Sequence, residues 1–159
     1  MNDQPSELVA LSLDFSDCDA TNARYKRQQS ELLPGNKGAT FDALAAVGIT
    51  IVTISFDGYG DSGQIESVEA KAGEDVVPLA AGTITITSPL WCQLEPETKQ
   101  MSVYDAIEKL AYEFLEDTHG GWEDGEGAYG DFTFDVSART ITLDYNERYI
   151  ETHYHQHEF

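Results

Sequence analysis

Bases are scarce in this sequence: nine Lys and Arg stand against 29 Asp and Glu, a formal net charge of −20 over 159 residues. A field of that sign repels phosphate backbones and anionic lipid surfaces, which argues against direct nucleic-acid binding and against a membrane-surface role. Cysteine is nearly missing. Cys18 and Cys92 stand far apart with no C-x-x-C spacing, so neither a disulfide framework nor a zinc knuckle is indicated. No apolar run approaches the roughly 18 residues of a membrane span. The opening MNDQPSELVALSLDF lacks the basic start of a signal peptide, and the expected location is cytoplasmic.

What is present points to a folded chain. Hydrophobic residues make up 41% of the sequence, with 7 Phe, 8 Tyr and 2 Trp, and the length suits one substantial core. The organising stretch runs from Ile49 to Ala72: the apolar run ITIVTISF, the loop DGYGDSG, then the alternating QIESVEAKA. Two strands joined by a glycine-rich loop are expected, with Val52, Ile54 and Phe56 on one face and Thr53, Ser55 and Asp57 on the other. A second hairpin follows from the alternation of Phe132, Phe134 and Val136 with Thr133 and Asp135, a turn at 137–139, and Ile141, Leu143 and Tyr145 alternating with Thr142 and Asp144. Gly82–Thr87 reads as an additional strand, and the tail from Tyr149 to Phe159 is β-prone.

Helices are expected at 17–33, stopped by Pro34-Gly35, and from about residue 37 or 40 to Val47, stopped by Gly48. The clearest helix starts at Ser102, with Asp105 in the acidic capping position and Val103, Ile107, Leu110, Ala111 and Phe114 as its core stripe, and ends at Gly120-Gly121. The fold class is therefore α+β: an antiparallel sheet of two hairpins plus an additional strand, with helices on one face. Residues 1–35 read as a polar lead-in and helix, and 36–159 as a single domain.

Several constellations invite a chemical reading. Gly60-Asp61-Ser62-Gly63 spells the tetrapeptide around the nucleophile of trypsin-like proteases, but that fold places its His and Asp before the Ser, and here all four histidines follow Ser62. Turn glycines with a Ser or Asp bonded to its own backbone account for the same letters. Aligned to a calcium-binding EF-hand loop, the stretch puts Gly58 and Gly60 where carboxylates are required, which excludes that motif. A looser cation site from Asp57, Asp61 and Glu66 stays open. The segment Gly121–Gly130 holds Trp122, Glu123, Asp124, Glu126 and Tyr129 among its glycines, and reads equally as a long turn with a buried Trp or as a recognition loop. His153, His155 and His157 alternate, so a strand there would put three imidazoles on one face as zinc ligands, whereas a frayed end would leave them in water.

The stretches FDALAAVGIT, FDGYGDSGQIE, THGGWEDGEGAYGDFTFDV, ITLDYNERY and the closing HEF resemble an uncharacterised family of small bacterial proteins with no established activity. The resemblance covers residues 36–159 and includes His157 but neither His153 nor His155. It implies a purpose for the two glycine-rich loops without naming one.

Two functions remain in play. In the first, the chain is a non-enzymatic interaction protein that docks a basic protein, including one whose groove otherwise takes nucleic acid. Its candidate binding residues are Glu113, Glu116, Asp117, Trp122, Glu123, Asp124, Glu126 and Tyr129. The second is a metal-assisted hydrolase or other small enzyme with its site between loops 57–66 and 119–130, for which Asp57, Asp61, His119 and Glu123 must converge. The cofactor is unknown: none is strongly indicated, and the second reading calls for a metal ion.

Overall fold

The structure is a computed structural model that describes residues 15–79 and 82–159, with side chains from Asp19 onward. In chain order its elements are α1 (Phe15–Ala46), β1 (Ile51–Ala72), β2 (Asp75–Val77), β3 (Thr83–Ser88), β4 (Glu97–Ser102), α2 (Val103–His119), β5 (Asp124–Asp135) and β6 (Thr140–Glu147). Of the polar lead-in expected before the helix at 17–33, residues 1–14 lie outside the described residues, and Phe15 and Ser16 belong to α1.

The class is α+β, as the alternation patterns imply. The main sheet is antiparallel in the order β2-β1-β5-β6. β1 is 22 residues long, which laid straight would span about 70 Å. It does not run straight: the Thr50 N–H donates to the Lys71 carbonyl at 2.8 Å, and the Thr50 hydroxyl holds both that carbonyl and the Gly73 N–H. The segment is thus the expected hairpin, doubled back at its glycine-rich centre. Its first arm pairs with β5 from Ile51↔Asp135 to Gly58↔Ala128, and its last residues pair with β2. The additional strand sits elsewhere than expected: β3 pairs with β4 in a separate two-stranded sheet.

The registers explain the core. Val52, Phe134 and Ile141 lie abreast across three strands, as do Ile54, Phe132 and Leu143. Their face is covered by Phe41, 6.0 Å from the Phe134 ring, and Phe114, 6.2 Å from the Phe132 ring. α2 begins where it should, with Ser102 extended and its hydroxyl accepting from the Asp105 N–H at 3.0 Å. Val103, Ala106, Ile107, Leu110, Ala111 and Leu115 form its buried stripe. The opposite face of the sheet presents Thr53, Ser55, Asp57, Asp131, Thr133 and Asp144, only partly shielded or open.

One expected boundary is overturned: α1 runs through Pro34-Gly35 without a break. Proline removes one helical hydrogen bond and crowds the preceding turn, yet Gly35 and Gly38 keep negative φ and so supply no left-handed stop. The stop is Gly48, at φ +80. Its N–H returns to the Ala45 carbonyl and that of Ile49 to Leu44, while the Leu44 and Ile49 side chains are both buried, a complete glycine-terminated cap.

The chain divides into two compact units. One contains α1 up to Ala39 with Thr85–Met101; the other contains Thr40–Ile84 and Ser102–Phe159. Within the first, the Asn36 side-chain amide bonds the Thr87 backbone in both directions, at 2.7 and 3.0 Å, and Tyr25 packs on Trp91. No helix among the described residues is long and apolar enough to cross a membrane.

Candidate functional site

The two glycine-rich segments meet. Gly58 lies opposite Ala128, Gly60 opposite Gly125 and Asp61 opposite Asp124, with one irregularity between Gly58 and Gly60. This end of the sheet is also where α2 finishes, five residues before β5 begins the pairing. Trp122 fills the junction. Its indole is 5% exposed and stands edge-on to the Phe56 ring at 5.5 Å. Gly58 and Gly63 are glycine because the indole occupies the space a Cβ would need at each. Of the letters that imitate a protease motif, Gly63 is therefore part of a seat for an aromatic ring, and Gly60, at φ +71, serves the turn.

Arg148 locks the open face of the same end. Its guanidinium pairs with Asp57 at 2.9 Å, donates to the Gly58 carbonyl at 3.1 Å and lies over the Tyr129 ring, 4.6 Å from its centre. Its backbone N–H donates to the Gly127 carbonyl. Sequence reasoning passed over Arg148, although its rarity was a signal: after Lys109 the chain has only Arg139 and Arg148 as bases, and both form ion pairs with acids far away in sequence.

On the helix-covered face, the His119 imidazole stacks flat on Tyr145, ring centres 3.6 Å apart. Gly130 faces Tyr145 across the ladder and leaves room for the Phe56 ring to reach it. Burial raises the Tyr145 phenol above its ordinary value, and the carboxylates of Glu147 and Glu123 push it further. Tyr145 is therefore kept neutral in the folded state beyond the pH at which it ionises in an unfolded chain. Stability from this source is present below about pH 10 and is lost as pH rises through the raised value. Tyr145→Phe is expected to flatten the alkaline decline of the melting temperature and to delete a late step in the ultraviolet tyrosinate titration. An unchanged titration would show that the phenol is not held neutral.

The four candidate catalytic residues are distributed over both faces. Asp57 is on the open face with Arg148, and His119 is on the covered face with Tyr145. Glu123 acts on Tyr145 and has one carboxylate oxygen enclosed without a hydrogen bond. Asp61 is exposed at the turn. A cavity of about 220 Å³ opens beside Asp57, Tyr59, Ser62, Gly63, Gln64 and Glu66, with no histidine in its wall.

Of the candidate binding residues, Glu116, Asp117, Glu123 and Asp124 gather where α2 ends and β5 starts, with Glu126 next along β5. Glu113 is held by Lys109 one turn earlier. The tail beyond Glu147 forms no strand, so the alternation that would align His153, His155 and His157 is not in place, and all three are exposed. Among the described residues no group of three or more His, Cys, Asp or Glu side chains is assembled for a metal ion.

Residues 32–159 match a family described as a family of unknown function (DUF6878). The chain belongs to that family. The matched span takes in both glycine-rich segments, Trp122 and Arg148, so the whole junction is family territory. No curated protein and no solved structure matches the chain.

Proposed function

We propose that this chain is a non-enzymatic acidic docking protein whose partner is a basic protein. The observation that carries the reading is the state of its own cations. After residue 40 the sequence holds five bases, Lys71, Lys99, Lys109, Arg139 and Arg148, and each is in an ion pair with an acid of the same chain. The same stretch has 23 acids, so the positive charge within it is used up with most of its carboxylates still uncompensated.

Some of those carboxylates stand where they work against the fold. Glu116 and Asp117 occupy the last turn of α2, at the negative end of the helix dipole. Asp61 lies directly opposite Asp124, and Asp131 directly opposite Asp144, although like charges facing across a ladder repel. A cationic partner offsets these costs.

The test compares two double reversals in binding to a lysine-rich peptide. Glu116→Lys with Asp124→Lys alters the junction, whereas Glu74→Lys with Asp75→Lys makes the same change of charge at the open end of the β1 hairpin, away from its glycine-rich turn. The junction reversal is expected to weaken binding by at least about tenfold and the distal one far less, and binding of the unaltered chain should fall steeply between about 0.05 and 0.5 M salt as screening grows. Equal effects of the two reversals, or indifference to salt, would reduce the acidic surface to a solubility device.

A further inference from the structure

The sheet has two outer edges that differ in kind. β2 is three residues long and is followed at once by Pro78, which shortens and blunts that side. β6 is eight residues long, Thr140–Glu147, and pairs with β5 in unbroken register from Ala128↔Glu147 to Asp135↔Thr140. It has no proline, no lysine and no bulge, the usual means by which an edge is closed to further pairing. Among the described residues β6 pairs with β5 alone, and the residues after Arg148 are exposed without returning to it.

The side chains along β6 show what would fit beside it. On the covered face, Phe132 and Phe134 of β5 are fully buried, yet Ile141, Leu143 and Tyr145 next to them are only half-buried. The helical layer therefore runs out over β6 and leaves an apolar row with one flank open. On the other face Asp144 stands against Asp131, and Asp131 accepts a hydrogen bond from Ser55, an acidic row that ends at the edge.

We infer that β6 receives an extended segment of the basic partner as an added edge strand, with basic residues alternating with apolar ones. Backbone pairing would supply affinity, the apolar set would extend the Ile141 and Leu143 row, and the basic set would lie beside Asp144 and Asp131. This rests on the docking function proposed above and adds to it the form and polarity of the segment.

The test uses an eight-residue peptide of alternating Lys and Val, matched to β6 in length. It is compared with a block peptide of the same composition and with two versions N-methylated on alternate residues. In a strand one alternate set of N–H groups points to the edge and the other away, so one methylated version should lose at least about tenfold in affinity while the other binds like the parent. Asp144→Lys removes the repulsion with Asp131, keeps the fold, and should weaken the alternating peptide by about tenfold. Equal affinity of the two methylated versions, or of the block peptide, would overturn strand addition and leave salt-dependent docking standing; no binding of the alternating peptide would overturn it as well. A chain that dimerises, with the dimer lost on Leu143→Lys, would put a second copy on β6 and overturn the basic segment.

Discussion

Trp122→Ala is expected to cost about 3–5 kcal/mol of folding stability, the range for deleting a large buried aromatic. The indole is the common neighbour of Gly58, Gly63 and Phe56, so its removal opens a hole where α2, the β1 turn and the start of β5 converge. The two glycines cannot relax into the hole with side chains of their own. Chemical denaturation of the alanine variant should show a midpoint shifted far down, and Trp122→Phe, which restores part of the ring volume, should recover part of the loss. If the alanine variant unfolds at the denaturant concentration of the parent, the junction is not held by this ring.

Gly127→Ala is expected to be as damaging, by a different route. Gly127 has φ +76, and a Cβ there would collide with the carbonyl of Gly58 on the neighbouring strand. Backbone cannot step aside as a flexible side chain can, so the substitution must break the pairing around Gly58↔Ala128 or spread the strands, at a cost of about 3 kcal/mol or more. The control is two residues away. Gly125 also has positive φ, at +63, but nothing lies within 4 Å of its missing Cβ. Gly125→Ala therefore pays only for the left-handed backbone, about 1–2 kcal/mol. Thermal melts of the two variants should separate them clearly; equal losses would mean that backbone conformation, and not the close approach, governs both sites.

These glycines show where a sequence stops being legible. Period-two alternation located both hairpins and assigned Val52, Ile54 and Phe56 to the core, because strand geometry leaves no other way to bury those residues together. Ser102, Asp105 and Gly48 were equally readable, since caps are local chemistry. The close contacts were not readable. Gly58 and Gly127 look like turn residues until β1 and β5 are laid side by side, and that register depends on residues more than sixty positions apart. The same distance hid the pairing of Arg148 with Asp57. Pro34-Gly35 misled for the opposite reason: a local signal for a helix end was outweighed by the anchoring of Asn36 on Thr87 and the burial of Phe41 and Leu44 beyond it.

The antiparallel pairing of β1 with β5 also fixes an order of events during synthesis. At about 5–20 residues per second, β5 leaves the ribosome several seconds after β1. Until then the row of Val52, Ile54 and Phe56 has no central partner and can be shielded only by the helices made before β5, first the C-terminal end of α1 and then α2. The β5–β6 hairpin, by contrast, closes over a four-residue turn as soon as it is made, with the Ala138 N–H bonded to the Asp135 carboxylate. The newborn chain thus carries a waiting hydrophobic strand through the middle of its own translation, and the last forty residues complete the sheet all at once.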